Sequence, residues 1–247
     1  MGCKYCFLVP IFQGTLYVIA FSTTFLLSAV INKDVPLIFP YVSDTGVWSI
    51  ERCIFSFGLG LGSLLMIATI YIRCRQVKEV LELAESKNLS SKLKKLNTIS
   101  LFLGMVAVIG VFMLGCFPVH PYIVPHLIGA GAAFNTGLMV LAAQTYISLK
   151  IYPTLGNKTL NIIRCVMVLI LAVALCLCVI FGGLSLLLFK GDDITQWTAA
   201  SGGYVFHLIS VASEWILVLG VILYLSLYAG EFRSIVLHKP NMDITTA

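Results

Sequence analysis

Charged side chains are what this chain of 247 residues has least of: Asp, Glu, Lys and Arg together make up 11% of it, against about 25% in a soluble globular domain. With 59% hydrophobic residues beside so little charge, a water-soluble domain is excluded and a membrane protein is the class that fits. Nucleic acid is not an expected partner. Also missing are HExxH, GxSxG and any paired-histidine metal spacing, so no metal or cofactor is expected. There is no detectable inverted repeat of broken helices, the internal symmetry common in transporters. The first apolar stretch is too long for a signal peptide and lacks a small-residue cleavage site, so it reads as a permanent helix. The opening Met-Gly-Cys has Cys6 where N-myristoylation prefers Ser or Thr, and the tail carries no clear retention or prenylation signal.

Long apolar runs are what the chain does have. About 20 helical residues span the hydrocarbon of a bilayer, and six stretches meet that length, roughly 7–31, 52–72, 98–117, 125–149, 162–189 and 202–228. The expected fold is all-α, a single six-transmembrane-helix bundle over 1–247, with a charged cytosolic loop at 73–97 and a cytosolic tail at 229–247. Thirteen of the sixteen basic residues fall on the side of the two termini, leaving Lys33, Arg52 and Lys190 for the other. By the positive-inside rule both termini are cytosolic. The sequons Asn88-Leu89-Ser90 and Asn157-Lys158-Thr159 lie on that same side and are expected to carry no sugar. Cys3, Cys6, Cys74 and Cys165 are juxtamembrane thiols open to palmitoylation, and Cys53 and Cys116, near non-cytosolic helix ends, could pair.

The last span, Ser201 to Tyr228, carries His207, Glu214 and Trp215. A charged carboxyl at mid-membrane costs on the order of 2.5 to 3.5 kcal/mol, so Glu214 is expected to face protein or trapped water. His207 lies seven residues away, close to two helical turns, and projects from the same face. Counting 1.5 Å per residue, Asn135 in the fourth span lies about 15 Å below its helix start and Glu214 about 18 Å below its own. They share a depth, and Glu214 is expected to donate to a group such as Asn135. His126 and His207 both sit within about 10 Å of the non-cytosolic ends of their helices on the same count.

Ahead of the second span, Pro40-Tyr41-Val42-Ser43-Asp44-Thr45-Gly46 has tight-turn chemistry, with Asp44 an Asx-type cap holding the loop over the bundle. Glu51 and Arg52 read as an interfacial pair at a helix start. Gly58 and Gly62 form a small-xxx-small surface for close helix approach. Val77, Val80, Leu81 and Ala84 recur at helical spacing and suggest a short amphipathic extension near the headgroups; a solvated loop explains the charges equally well. The fifth span is the most uniformly apolar and reads as lipid-facing, with Lys190, Asp192, Asp193 and Trp197 as a polar rim bearing an interfacial aromatic.

Taken together, these residues resemble a known family. Phe39-Pro40-Tyr41-Val42-Ser43-Asp44-Thr45-Gly46 with Glu51 seven after the Asp, Ile67-Ala68-Thr69-Ile70-Tyr71-Ile72-Arg73, His126 opening the fourth span, and Gly203-Tyr204-Val205-Phe206-His207 followed by Ser213-Glu214-Trp215 are similar to the motifs of the DRAM-type six-span proteins, the damage-regulated autophagy modulators. Ile50 stands where that family often has proline. The resemblance implies a lysosomal or other endomembrane location and promotion of autophagy, with protein partners in the autophagy or phosphoinositide machinery.

Three function classes follow. The first is a non-enzymatic regulator whose polar pocket of Asp44, Glu51, His126, Asn135, His207, Glu214 and Trp215 meets membrane lipids on the luminal side. The second is a lipid-remodelling enzyme using His126, His207, Glu214 and Asp44 as base and orienting acid; His207 and Glu214 are about 10 Å apart along the helix axis, too far to ligate one ion directly. The third is a small-solute or proton-linked transporter, since ionisable groups inside a membrane often mark pathways.

Overall fold

Inside a bilayer every backbone N–H and C=O must be satisfied within the protein, so apolar stretches of this length fold as helices. A computed structural model describes residues 4–38, 40–83 and 87–236, the side chains of 87–89 excepted. Cys3, Phe39, Ala84, Glu85 and Lys239 lie outside the described residues. Among those described, six helices are long and apolar enough to span: α1 Leu8–Ile31, α2 Ser49–Glu82, α3 Ser90–Cys116, α4 Ile123–Ile151, α5 Lys158–Leu188 and α6 Tyr204–Phe232. The Arg233 guanidinium lies over the Phe7 ring, 5.8 Å from its centroid. The ends of the first and last helices therefore share one face, called here the terminal face; the opposite one is the distal face.

The charged stretch after the second span is largely carried on helix ends, because α2 runs on to Glu82 and helical backbone resumes at Lys87. Val77 and Leu81 are fully buried against Leu93, Ile147 and Ile151, while Arg75–Glu79 and Lys78–Glu82 form exposed i,i+4 pairs on the outer side. The apolar stripe thus docks on α3 and α4, and not on headgroups.

Gly58 and Gly62 meet α1 as their spacing suggests. A Cβ on Gly58 would lie 2.5 Å from the Ala20 Cβ, and one on Gly62 would strike the Tyr17 ring. Tyr17, Phe21, Phe55 and Leu59 pack around that contact. The fifth span is lipid-facing, with only 17% of its most apolar window buried, and its inner side packs along α6. The distal part of α4, Ile123–Gly131, packs on α3, and α4 then passes through a π-helical segment at Ala132–Thr136. A cleft remains between α4 and α5 in the distal half, where Leu127 is 52% exposed and Val179 61%.

The juxtamembrane thiols divide on burial. Cys6 and Cys74 are buried in the main core cluster, which removes them as acylation sites in the folded protein, whereas Cys165 is partly exposed. Cys53 and Cys116 are both free and exposed, so the distal pairing does not form. Asn157 of the second sequon caps α5, its Oδ1 accepting from the Leu160 amide at 2.8 Å.

Candidate functional site

The loop between α1 and α2 lies over the distal end of the bundle because its polar groups find partners there. The Tyr41 amide donates to Asp44 Oδ2 at 3.2 Å, and the next amide, Val42, donates to Glu214 Oε2 on α6 at 2.7 Å. Trp215, one residue on, donates its indole N–H to the Pro40 carbonyl at 3.0 Å. Thr45 donates to the Val42 carbonyl at 2.7 Å and shares a hydrogen bond with Thr24 of α1 at 2.9 Å. Thr24 also bonds its own helix at the Phe21 carbonyl. At the loop's first end the Asn32 amide donates to the Glu51 carboxyl. Glu51 is only 1% exposed, so it closes the loop from inside and is not half of an interfacial pair with Arg52.

Below this strap lies a cavity of about 440 Å³, within the usual range of roughly 300 to 1,000 Å³ for small-molecule sites. Its polar wall comprises Tyr41, Ser43, Asp44, His126, Asn135, Ser210 and Glu214; its apolar wall is built from α4 and α5, including Ile123, Leu127, Leu175, Val179 and Leu186. Leu127 and Val179, on the two helices of this wall, are also exposed on the outside of the bundle. Among the described residues, no Lys or Arg lines the cavity. A second space of about 110 Å³, almost wholly apolar, lies between Tyr17, Phe55, Met66 and Val111 and shares Ser43, His126, Phe134 and Glu214 with the first. Glu214 thus stands between the two, turned to the interior of the bundle.

Asp44 is 2% exposed. Burial and the neighbouring Glu214 push its carboxyl well above the ordinary range, against the pull of the Tyr41 amide, and Asp193 adds to the rise. Each of the two carboxyls gives one oxygen to a loop amide, Oδ2 of Asp44 and Oε2 of Glu214. Their other oxygens take no hydrogen bond from a described residue, leaving two acceptors in the cavity wall.

The remaining sequence candidates take other parts. His126 lines the cavity with its ring held by the Phe117 carbonyl, 2.7 Å from Nδ1. Asn135 lines it too, but its amide donates to its own helix at the Gly131 carbonyl, 2.8 Å away, and the expected bond from Glu214 to Asn135 is not among those of the described residues. His207 is 2% exposed and sits behind the wall. It stacks on Trp197 with centroids 4.2 Å apart and meets the Tyr41 ring edge-on at 5.1 Å. The two histidines are therefore in separate surroundings. Trp197 is 4% exposed, because stacking on His207 and a tilted contact with Phe189 turn it inward from the interfacial position expected of it. Among the described residues no group of three or more His, Cys, Asp or Glu is placed to hold a metal ion.

One cluster escaped sequence reasoning altogether. At the terminal end, Arg164 forms two bonds to the Glu231 carboxylate at 3.0 and 2.9 Å, and Arg73 adds a third at 2.8 Å. Arg73 also donates to Gln144 at 3.2 Å and Ser148 at 2.6 Å, and both guanidiniums lie over the Tyr228 ring. Arg73 and Arg164 count in the sequence as topological charges at loop edges, yet they are 1% and 0% exposed. The available signal was a lone acid, Glu231, at the depth where two spans carry arginine.

Comparison with known proteins bears on the whole chain. Residues 5–235 match the model of the Frag1/DRAM/Sfk1/Cwh43P N-terminal domain. The chain is 31% identical over 207 residues to DNA damage-regulated autophagy modulator protein 2 of Rattus norvegicus, covering 80% of this chain and 73% of that one. It is 30% identical over 236 residues to DNA damage-regulated autophagy modulator protein 1 of Xenopus laevis, 94% of each, and 26% identical over 233 residues to the modulator of macroautophagy TMEM150B of Danio rerio, 94% of this chain and 88% of that one. No solved structure matches.

Proposed function

The chain belongs to the Frag1/DRAM/Sfk1/Cwh43P family, and from that membership we propose that it is a non-enzymatic modulator of autophagy in a lysosomal or endosomal membrane, acting through a lipid held in the distal cavity. The observation that carries the lipid part is the cavity itself: it is walled by apolar side chains of α4 and α5, two of which, Leu127 and Val179, are also exposed on the outside of the bundle, and it has a polar end under the loop. A lipid entering from the bilayer would keep its chain in apolar surroundings throughout and leave its head among hydrogen-bonding groups. The excess of basic residues on the terminal face supports placing that face in the cytosol and the cavity toward the lumen. Proteins of the autophagy or phosphoinositide machinery would then meet the cytosolic helix ends.

Gly183 provides the test. It lines the cavity, and a Cβ built on it meets nothing within 4 Å. Gly183→Leu therefore puts a side chain at the cavity wall where its Cβ displaces nothing, and it removes a glycine from a helix, worth about 1 kcal/mol in favour of the variant. The expected result is a thermal midpoint in detergent at or above that of the unmodified protein, loss of lipid that co-purifies, and loss of autophagic flux in complemented cells. Flux that persists after the lipid is gone overturns the proposal, as does lipid retained undiminished.

A further inference from the structure

The proposed lipid site leaves open which lipid, and the chemistry of its polar end narrows the choice. Membrane phospholipids present a phosphate, and sites for phosphate are built with Arg, Lys or a fan of backbone amides. Among the described residues, no Lys or Arg lines this cavity. The loop amides of Tyr41 and Val42 are already spent on the carboxyls of Asp44 and Glu214. An anionic head would lie beside two carboxyls with no cation to offset it.

What the polar end does offer is acceptors. Asp44, almost fully buried, uses one oxygen on Tyr41 and Glu214 uses one on Val42, so one oxygen of each takes no donor among the described residues. Ser210 donates its hydroxyl proton to the Cys178 carbonyl at 2.9 Å and accepts from the Tyr41 hydroxyl, which leaves one lone pair to accept from a ligand; Ser210 and the Tyr41 side chain both line the same space. Three acceptors in one wall suit a group with three N–H donors and a positive charge. Gly182 keeps this end open, since a Cβ there would come within 2.9 Å of Ser210 Oγ. The volume, about 440 Å³, lies toward the small end of ligand sites and suits one hydrocarbon chain.

Resting on the reading of the cavity as a lipid site, we propose that its ligand is a single-chain amphiphile with a primary ammonium head, a long-chain amine of the sphingoid-base type, held by Asp44, Glu214 and the Ser210 hydroxyl. Burial first and the neighbouring Glu214 second raise the proton affinity of Asp44, and the ammonium supplies a cation that this pair lacks among the described residues.

The test uses the full chain in nanodiscs of phosphatidylcholine, with sphingosine, its neutral N-acyl derivative and its 1-phosphate as probes, and binding read by native mass spectrometry. Sphingosine is expected to bind about tenfold or more tightly than the other two, the difference of one charge-assisted hydrogen-bonded contact. Asp44→Asn combined with Glu214→Gln should lower sphingosine affinity by about the same factor and leave any N-acyl binding unchanged. Gly183→Leu should abolish binding of every probe that enters the cavity. N-acyl or 1-phosphate probes that bind as well as sphingosine and are lost in Gly183→Leu overturn the amine assignment while the lipid site stands. Sphingosine binding that survives Gly183→Leu, or no binding by any probe, overturns the site along with its ligand.

Discussion

Asp44 shows how a single side chain can serve the fold and remain available to a ligand. Its Oδ2 holds the Tyr41 amide, which is the loop-capping role that turn chemistry assigns to it, and its burial beside Glu214 sets its acidity. Burial first and Glu214 second raise the carboxyl above its ordinary range, so the folded chain holds this proton more tightly than the unfolded chain does. The stabilisation is complete below the unfolded value of about 4 and is lost as pH rises through the higher folded one. Asp44→Asn keeps an acceptor for Tyr41 and removes the titration. The melting temperature of the unmodified protein is therefore expected to fall relative to that of Asp44→Asn as pH is raised above about 4, measured by thermal melts in detergent; a difference that stays constant with pH would contradict it. The turn around Asp44 was legible in the sequence because it is local. That the very next amide is claimed by Glu214, 172 residues on, was not, because depth along a helix can be counted from residue numbers while rotation toward a particular loop cannot.

At the scale of the helices, hydropathy pointed to six spans, since a bilayer asks for a minimum length of apolar helix, and six helices of that kind are present among the described residues. It cut α2 short, because Arg73 and Arg75 read as the aqueous boundary while the helix goes on to Glu82 under an apolar stripe packed on α3 and α4. Packing between neighbours was legible where it rests on glycine. Gly58 and Gly62 face α1, whereas Gly60, between them, faces open space with its nearest neighbour at Phe112, 3.9 Å from a built Cβ. Gly62→Ala forces the Tyr17 ring aside and is expected to cost about 1 to 3 kcal/mol, the usual range for overpacking. Gly60→Ala gains up to about 1 kcal/mol of helix propensity and displaces nothing. Denaturation in mixed micelles should separate the pair in opposite directions, and a Gly62→Ala protein as stable as the parent would show that α1 and α2 are not in close contact there.

Across the whole molecule the two ends of the bundle are built differently. The distal end is parted by a cleft and held by a loop, while the terminal end is tied by Glu231 of α6 to Arg73 of α2 and Arg164 of α5, with Ser148 of α4 bonded to both arginines. Two buried guanidiniums share one carboxylate, so the group is worth less to stability than its bond count suggests, yet removing the acid leaves both cations unpaired. Breaking a buried pair in this way costs about 3 to 5 kcal/mol. By contrast, Arg75→Ala removes an exposed i,i+4 pair worth about 0.5 kcal/mol or less. Glu231→Gln is therefore expected to lower the melting temperature strongly and Arg75→Ala hardly at all. Because the distal cavity shares no lining residue with the Arg73–Glu231–Arg164 group, whatever fraction of Glu231→Gln folds should still hold its lipid. Gly183→Leu should do the reverse, stable but empty, and measuring melting and lipid content on both variants checks the division: correlated losses in the two would mean that the ends of the bundle are one coupled unit.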